Sequence, residues 1–168
     1  KISKTDNYAK HRGAYDVLFI NMQNFLSKTK TMEDLLRLLE SRVGRELVYA
    51  YPDIDFFDKN SLAYLLEDIY SVTKRKFVIL IDEWDCIFRE EKNHLQEQKI
   101  YLDFLRDWLK DNPCIALTYM TGILPIKKYG THSALNMFTE YSMTEPKELA
   151  PYFGFTEAEV QALCQEYH

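Results

Sequence analysis

The 168 residues suit one domain, and at that size roughly 70% of the extended surface can be buried, enough for a real core. Hydrophobic residues make up 46% and charged residues 28%, with 12 Tyr, 10 Phe and 2 Trp, which excludes a disordered chain. The net charge of -5 gives no support to nucleic-acid binding; the absence of any run of about 18 apolar residues argues against a membrane span, and the polar first residues KISKTDNYAK against a secretory signal in these residues.

In chain order, Asp16 to Asn21 (DVLFIN) reads as a strand. Thr31 then opens a helix in which Met32, Leu35, Leu36, Leu39 and Val43 recur at helical spacing, with Thr31 and Asp34 at the positions of a cap. Residues 52 to 57 form a connection, after which Asn60 or Ser61 can cap a helix striped by Leu62, Leu65, Leu66 and Ile69. FVILID (77–82) has five apolar residues in succession and predicts a strand covered on both faces, as in a parallel sheet.

Asn93 to Lys110 follows as a helix with Leu95, Leu102, Leu105 and Leu109 on one side. Ile115 to Thr121 (IALTYMT) is expected to be a third buried strand, and the alternating Phe138 to Met143 (FTEYSM) a weaker fourth. Lys147 to Phe153 reads as a short helix with Gly154 at its C′ position. Thr156 and Glu159 then form a capping box for a last helix reaching about Glu166. Strands alternating with long helices predict an α/β fold with a mostly parallel sheet and flanking helices, whose chemistry sits at the carboxyl ends of the strands. No repeat, linker or low-complexity tract divides the chain, so one domain is expected over 1–168.

The carboxyl end of FVILID carries Asp82, Glu83 and Asp85. An apolar strand ending in adjacent Asp and Glu suits nucleotide hydrolysis: Asp82 as the magnesium residue, through water, and Glu83 as the base that orients or deprotonates the attacking water. The plainer alternative makes DEWD a polar strand exit, with Trp84 and Phe88 packing and the acids in solvent. Thr121, at the end of the neighbouring strand, is the candidate to sense a terminal phosphate or hold that water. It equally reads as the start of the loop TGILPIKK, where Lys127 and Lys128 are either phosphate contacts or solvated lysines.

Other chemistry is not supported. His11, His94, His132 and His168 are isolated, Ser133 and Cys86 lack a nucleophile elbow or neighbouring base, and Cys86, Cys114 and Cys164 are too far apart for a CxxC site or disulfide framework. The cysteines suit a reducing, cytoplasmic setting. The phosphate-cradling GxxxxGK[ST] pattern is absent, so strong ATP binding by these residues alone is not expected.

The stretches KFVILIDEWDCIFRE, YMTGILPIKKYGTHSALNMFTEYSM and YFGFTEAEVQALC resemble the AAA-ATPase-like family of bacterial proteins, which often carry a restriction-endonuclease-like nuclease domain; the similarity runs from about Lys1 to His168. The resemblance implies a P-loop NTPase core. FVILIDEWD would be its Walker B strand with Asp82 and Glu83, IALTYMTG its sensor strand with Thr121, and GFTEAEV the start of a helical lid, so that 1–144 is the α/β core and 145–168 the beginning of the lid.

Magnesium and ATP are the implied cofactors. Family members carry a Walker A loop upstream of such a segment, so the resemblance implies that this chain, which begins at Lys1 rather than Met, is a fragment lacking the first strand and P-loop. That loss is expected to leave the sensor strand with a free edge, which either pairs with FTEYSM or drives self-association. Two other functions compete with an ATPase-derived switch: a non-catalytic interaction or scaffold module, and a metal-dependent phosphodiesterase using Asp82, Glu83 and Asp85.

Overall fold

Three apolar runs become the three strands β1 (Asp16–Asn21), β2 (Phe77–Asp82) and β3 (Ile115–Met120) of one parallel sheet, in the order β1-β2-β3. The computed structural model describes residues 2–89, 95–125, 135–152 and 154–167. The chain divides into two compact units, Lys1–Asn136 and Met137–His168.

In the first unit the α-helices are α1 (Tyr8–His11), α2 (Gln23–Leu26), α3 (Met32–Ala50), α4 (Leu62–Thr73), α5 (Cys86–Arg89) and α6 (Leu95–Leu109). The start of α3 is fixed by the Thr31 hydroxyl, which accepts the Asp34 N–H at 3.1 Å, while the Asp34 carboxylate turns to Arg37 at 2.5 Å. Its stripe Met32, Leu35, Leu39, Val43 and Leu47 is buried, and Leu36 lies half-buried at the margin. Ser61 occupies the N-cap of α4 without a side-chain bond, and Leu62, Leu65, Leu66 and Ile69 are buried. The two helices cross closely at Gly44, where a Cβ would stand 2.9 Å from the Lys59 carbonyl oxygen and 3.1 Å from Leu65 Cδ1. In α6, Tyr101, Leu102, Leu105, Trp108 and Leu109 are buried. Leu95 is 85% exposed, so the buried stripe starts later than the spacing predicts. The expected helix start at Asn93 lies outside the described residues.

The winding explains which side chains are buried. Both crossovers, β1 to β2 through α3 and α4 and β2 to β3 through α6, step in the same direction across the sheet. Right-handed connections then place all three long helices on one face, and α3 packs against both α4 and α6. Phe77, Ile79 and Ile81 point into that layer at 0–2% exposure.

On the opposite face the registered rows Val17–Val78–Leu117 and Phe19–Leu80–Tyr119 form an apolar surface. There Val17, Phe19, Leu117 and Tyr119 are 59%, 68%, 55% and 37% exposed. The expectation of strands covered on both faces is therefore corrected: β2 is shielded laterally by its neighbours, and β3 is an edge strand with an exposed face rather than a buried one. FTEYSM is not a strand, because residues 138–143 make no ladder, and the sheet ends at β3.

In the second unit a 3₁₀ helix spans Lys147–Tyr152, Gly154 takes φ +62°, and α7 (Glu157–Tyr167) follows. The Thr156–Glu159 box forms in both directions: Thr156 N–H donates to Glu159 Oε2 at 2.9 Å, and Glu159 N–H to Thr156 Oγ1 at 3.4 Å. Among the described residues no helix is long and apolar enough to cross a membrane.

Candidate functional site at the carboxyl edge of the sheet

Parallel pairing brings the ends of all three strands together. Asn21 is the register partner of Asp82, and Thr121 N–H donates to the Ile81 carbonyl at 2.9 Å as β3 ends. The Asp82 carboxylate consequently receives donors from three segments. Thr121 Oγ1 donates to Oδ1 at 2.5 Å, Glu83 N–H to the same oxygen at 3.0 Å, and Asn21 Nδ2 to Oδ2 at 3.2 Å. A half-buried carboxylate held by three donors is fixed in direction and ready to act as an acceptor.

Glu83 turns the chain sharply at the strand end, with a left-handed φ of +55° that costs a residue with a Cβ on the order of 1 kcal/mol. Its side chain, 36% exposed, is ion-paired with Arg89 at the end of α5. Asp85 behaves differently from its two acidic neighbours. It is fully buried, and its Oδ2 accepts the N–H groups of Ile123 at 3.0 Å and Leu124 at 2.8 Å, with Arg89 Nε 3.5 Å away.

Asp85 therefore fastens the loop after β3 to the turn after β2. Trp84 N–H adds a bond to the Thr121 carbonyl at 3.1 Å, and Tyr101 Oη donates to the Trp84 carbonyl at 3.0 Å. Gly122 is required by this contact, since a Cβ there would meet Asp85 Oδ1 at 2.5 Å and Trp84 Cδ1 at 2.7 Å. Asp85 is thus committed to two backbone N–H groups and buried, unlike the more accessible Asp82 and Glu83. Among the described residues no group of three or more His, Cys, Asp or Glu is arranged to hold a metal.

The strand exit is not simply a set of solvated acids either, because one is buried and another is tied down by three donors. The donor set at its tip, one carboxylate with a hydroxyl and an amide beside it, is made of hard oxygens. It fits a magnesium ion that keeps most of its waters and takes phosphate oxygens, not one enclosed by protein ligands. Cys86, next to the site, is buried, and that burial pushes its thiol up to about 12, so it offers no thiolate nucleophile.

A family model described as predicted AAA-ATPase matches residues 1–131. The chain belongs to this predicted AAA-ATPase family. The matched span contains β1, β2 and β3 and with them Asp82, Glu83 and Thr121, whereas the second compact unit, from Met137, lies beyond it. No curated protein and no solved structure matches the chain.

Within this AAA-ATPase-like chain the structure brings together Asp82 and Thr121 by direct bond, with Glu83 adjacent. Lys127 and Lys128 lie outside the described residues, as do Ser133, His94, His132 and His168. Three participants escaped the sequence reading of the site. Asn21 was legible in principle, since it ends a strand that must run parallel to FVILID. Arg89 had no such signal, because its reach back over six residues depends on the left-handed turn at Glu83. The separate role of Asp85 had none, because its partners are backbone groups 38 and 39 residues away.

Proposed function

We propose that this chain supplies the magnesium- and water-handling edge of an ATP-hydrolysing P-loop domain, with the phosphate-binding loop contributed from outside these 168 residues. The observation that carries the reading is the Thr121–Asp82 bond at 2.5 Å across adjacent parallel strand ends, beside Glu83. Asp82 would hold magnesium through water. Bound magnesium would neutralise charge on the phosphates. Glu83 orients and deprotonates the attacking water, and Thr121 holds Asp82 in place and contacts the terminal phosphate or the water.

The bare sheet face and the free edge of β3 suit a further strand-and-helix unit carrying that loop. A strand seated on that edge and placed before β1 in the chain must cross back over β3 and β2 to reach β1. That step runs opposite to the two crossovers present, so a right-handed connection puts its helix on the uncovered face. One strand-and-helix unit thus fills both open positions and brings a helix N-terminus to the strand ends where Asp82 stands. Without that unit, we expect the apolar face and edge to favour self-association.

The test is calorimetry with a magnesium complex of a non-hydrolysable ATP analogue. This chain is compared with one extended upstream through a GxxxxGK[ST] loop. Binding restored by the extension, kept in Glu83→Gln while that variant loses turnover of ATP itself, and stripped of its metal dependence in Asp82→Ala, is the expected result. An extended chain that binds nothing would overturn it. A second reading, a non-catalytic interaction module, draws on the ion pair that occupies Glu83 and on the absence of the loop pattern, and it would then stand in its place.

A further inference from the structure

Arg89 lies where a single guanidinium touches both functionally distinct carboxylates of the turn after β2. Its Nη2 pairs with Glu83 Oε2, and its Nε stands 3.5 Å from Asp85 Oδ2. The two ends of this bridge differ. Asp85 is fully buried, committed to the Ile123 and Leu124 N–H groups, and its other oxygen, Oδ1, is buried without a hydrogen-bond partner among the described residues. Glu83 is one-third exposed and sits on a single left-handed residue, so it is the end that can let go.

Arginine presents a planar fork of donors that matches phosphate oxygens as well as carboxylates. The Arg89 side chain is 30% exposed, so the guanidinium is not sealed from an anion arriving beside Glu83. We propose that Arg89 is a positioning residue that exchanges its Glu83 contact for phosphate oxygens, so that Glu83 is restrained in the empty site and released when a phosphate ligand enters. The inference rests on the assignment of Asp82 and Glu83 to a magnesium–phosphate site, and it adds the means by which that site is held closed to idle chemistry. Asp85 remains the anchor throughout: Nε stays near Oδ2 while the Nη groups change partner.

A purely structural Arg89 that only neutralises buried Asp85 makes a different prediction, which allows a test with opposite signs. Magnesium alone, and inorganic pyrophosphate in the presence of magnesium, are titrated into the chain extended upstream through a GxxxxGK[ST] loop while backbone and arginine side-chain NMR signals are followed. Wild type, Arg89→Gln, Arg89→Lys and Asp82→Ala are compared. Removing the guanidinium takes away a positive charge that opposes the cation and a donor that binds the anion.

Arg89→Gln should therefore bind magnesium about threefold or more tightly and pyrophosphate about threefold or more weakly. Arg89→Lys keeps the charge without the fork. It should match wild type for magnesium and fall between wild type and Arg89→Gln for pyrophosphate. If magnesium binds in an Asp82-dependent way but Arg89→Gln leaves either affinity unchanged, or moves both in the same direction, the exchange is overturned and the site assignment survives. If magnesium produces the same absence of response in wild type and all variants, the assignment and the exchange fall together.

Discussion

Phe77, Ile79 and Ile81 on one face of the sheet and Val17, Phe19, Leu117 and Tyr119 on the other are of similar apolar character, yet the first set is at most 2% exposed and the second 37–68%. Side-chain chemistry does not separate them. Winding does: two crossovers in one direction build one helical layer and leave the second face open. The same difference runs through the strand ends. Asp85 is drawn inside by backbone groups of the loop after β3, while Asp82 and Glu83, its near neighbours, stay at the accessible edge.

The largest effect that sharpens this contrast is expected from Ile79→Ala. The side chain is fully buried beneath the helical layer, so its truncation removes buried methyl groups and leaves a cavity, at about 2–5 kcal/mol in urea or thermal unfolding. A cost below about 1 kcal/mol would mean that the covered face is far less tightly packed than its burial implies.

Gly122→Ala comes next, at about 1–3 kcal/mol, because the new Cβ must displace Asp85 and the Trp84 ring, which are buried and cannot yield cheaply. The same substitution should shift the Thr121 signals in an NMR spectrum, since Trp84 and Thr121 are bonded through their backbones. Unchanged Thr121 signals would show that the two turns are not fastened as described.

Much of this was readable in the chain. DVLFIN and FVILID gave the first two strands to the residue, and the stripes of α3 and α4 and the Thr156–Glu159 box followed from spacing, because each depends on neighbours a few residues away. The free edge of IALTYM followed from the expected loss of a neighbouring strand, but its exposed face did not, because an apolar run carries no record of which sheet face a helical layer covers. FTEYSM alternates as a strand should, but a strand exists only with a ladder partner, and alternation cannot supply one. At the site, the fold draws Asp82, Glu83 and Thr121 together at one strand edge, whereas the partition of the acids into one buried anchor and two accessible groups rests on contacts between distant backbone atoms.

On the open face, Phe19→Ser should change stability by no more than about 0.5 kcal/mol, since the ring is 68% exposed in the chain by itself. The substitution should also lower any self-association seen by sedimentation velocity. A loss above about 1 kcal/mol, or unaltered association, would break the comparison by showing that this face is covered in solution or is not the contact surface.

The smallest expected effect tests the covered layer for a cost rather than a gain. Glu40 on α3 is half-buried, and its carboxyl is raised above its ordinary value of 4.5, first by burial and then by the nearby Asp58 charge, against the opposing bond from the Leu62 backbone N–H. A carboxyl with a raised folded-state value binds its proton more firmly in the folded chain than in the unfolded one. Its ionisation therefore weakens the fold progressively as pH rises from about 4.5 through the raised value, and the penalty is constant above it. Glu40→Gln keeps an acceptor for Leu62 N–H and removes the charge, so it should raise the melting temperature at pH 7. That advantage should shrink as the pH falls and disappear below 4.5, where both states of the wild type are protonated. An advantage that persists unchanged at pH 4 would assign the gain to shape or hydrogen bonding. A loss at pH 7 would mean that the Leu62 bond to the charged form outweighs burial, and that the helical layer tolerates this charge rather than being weakened by it.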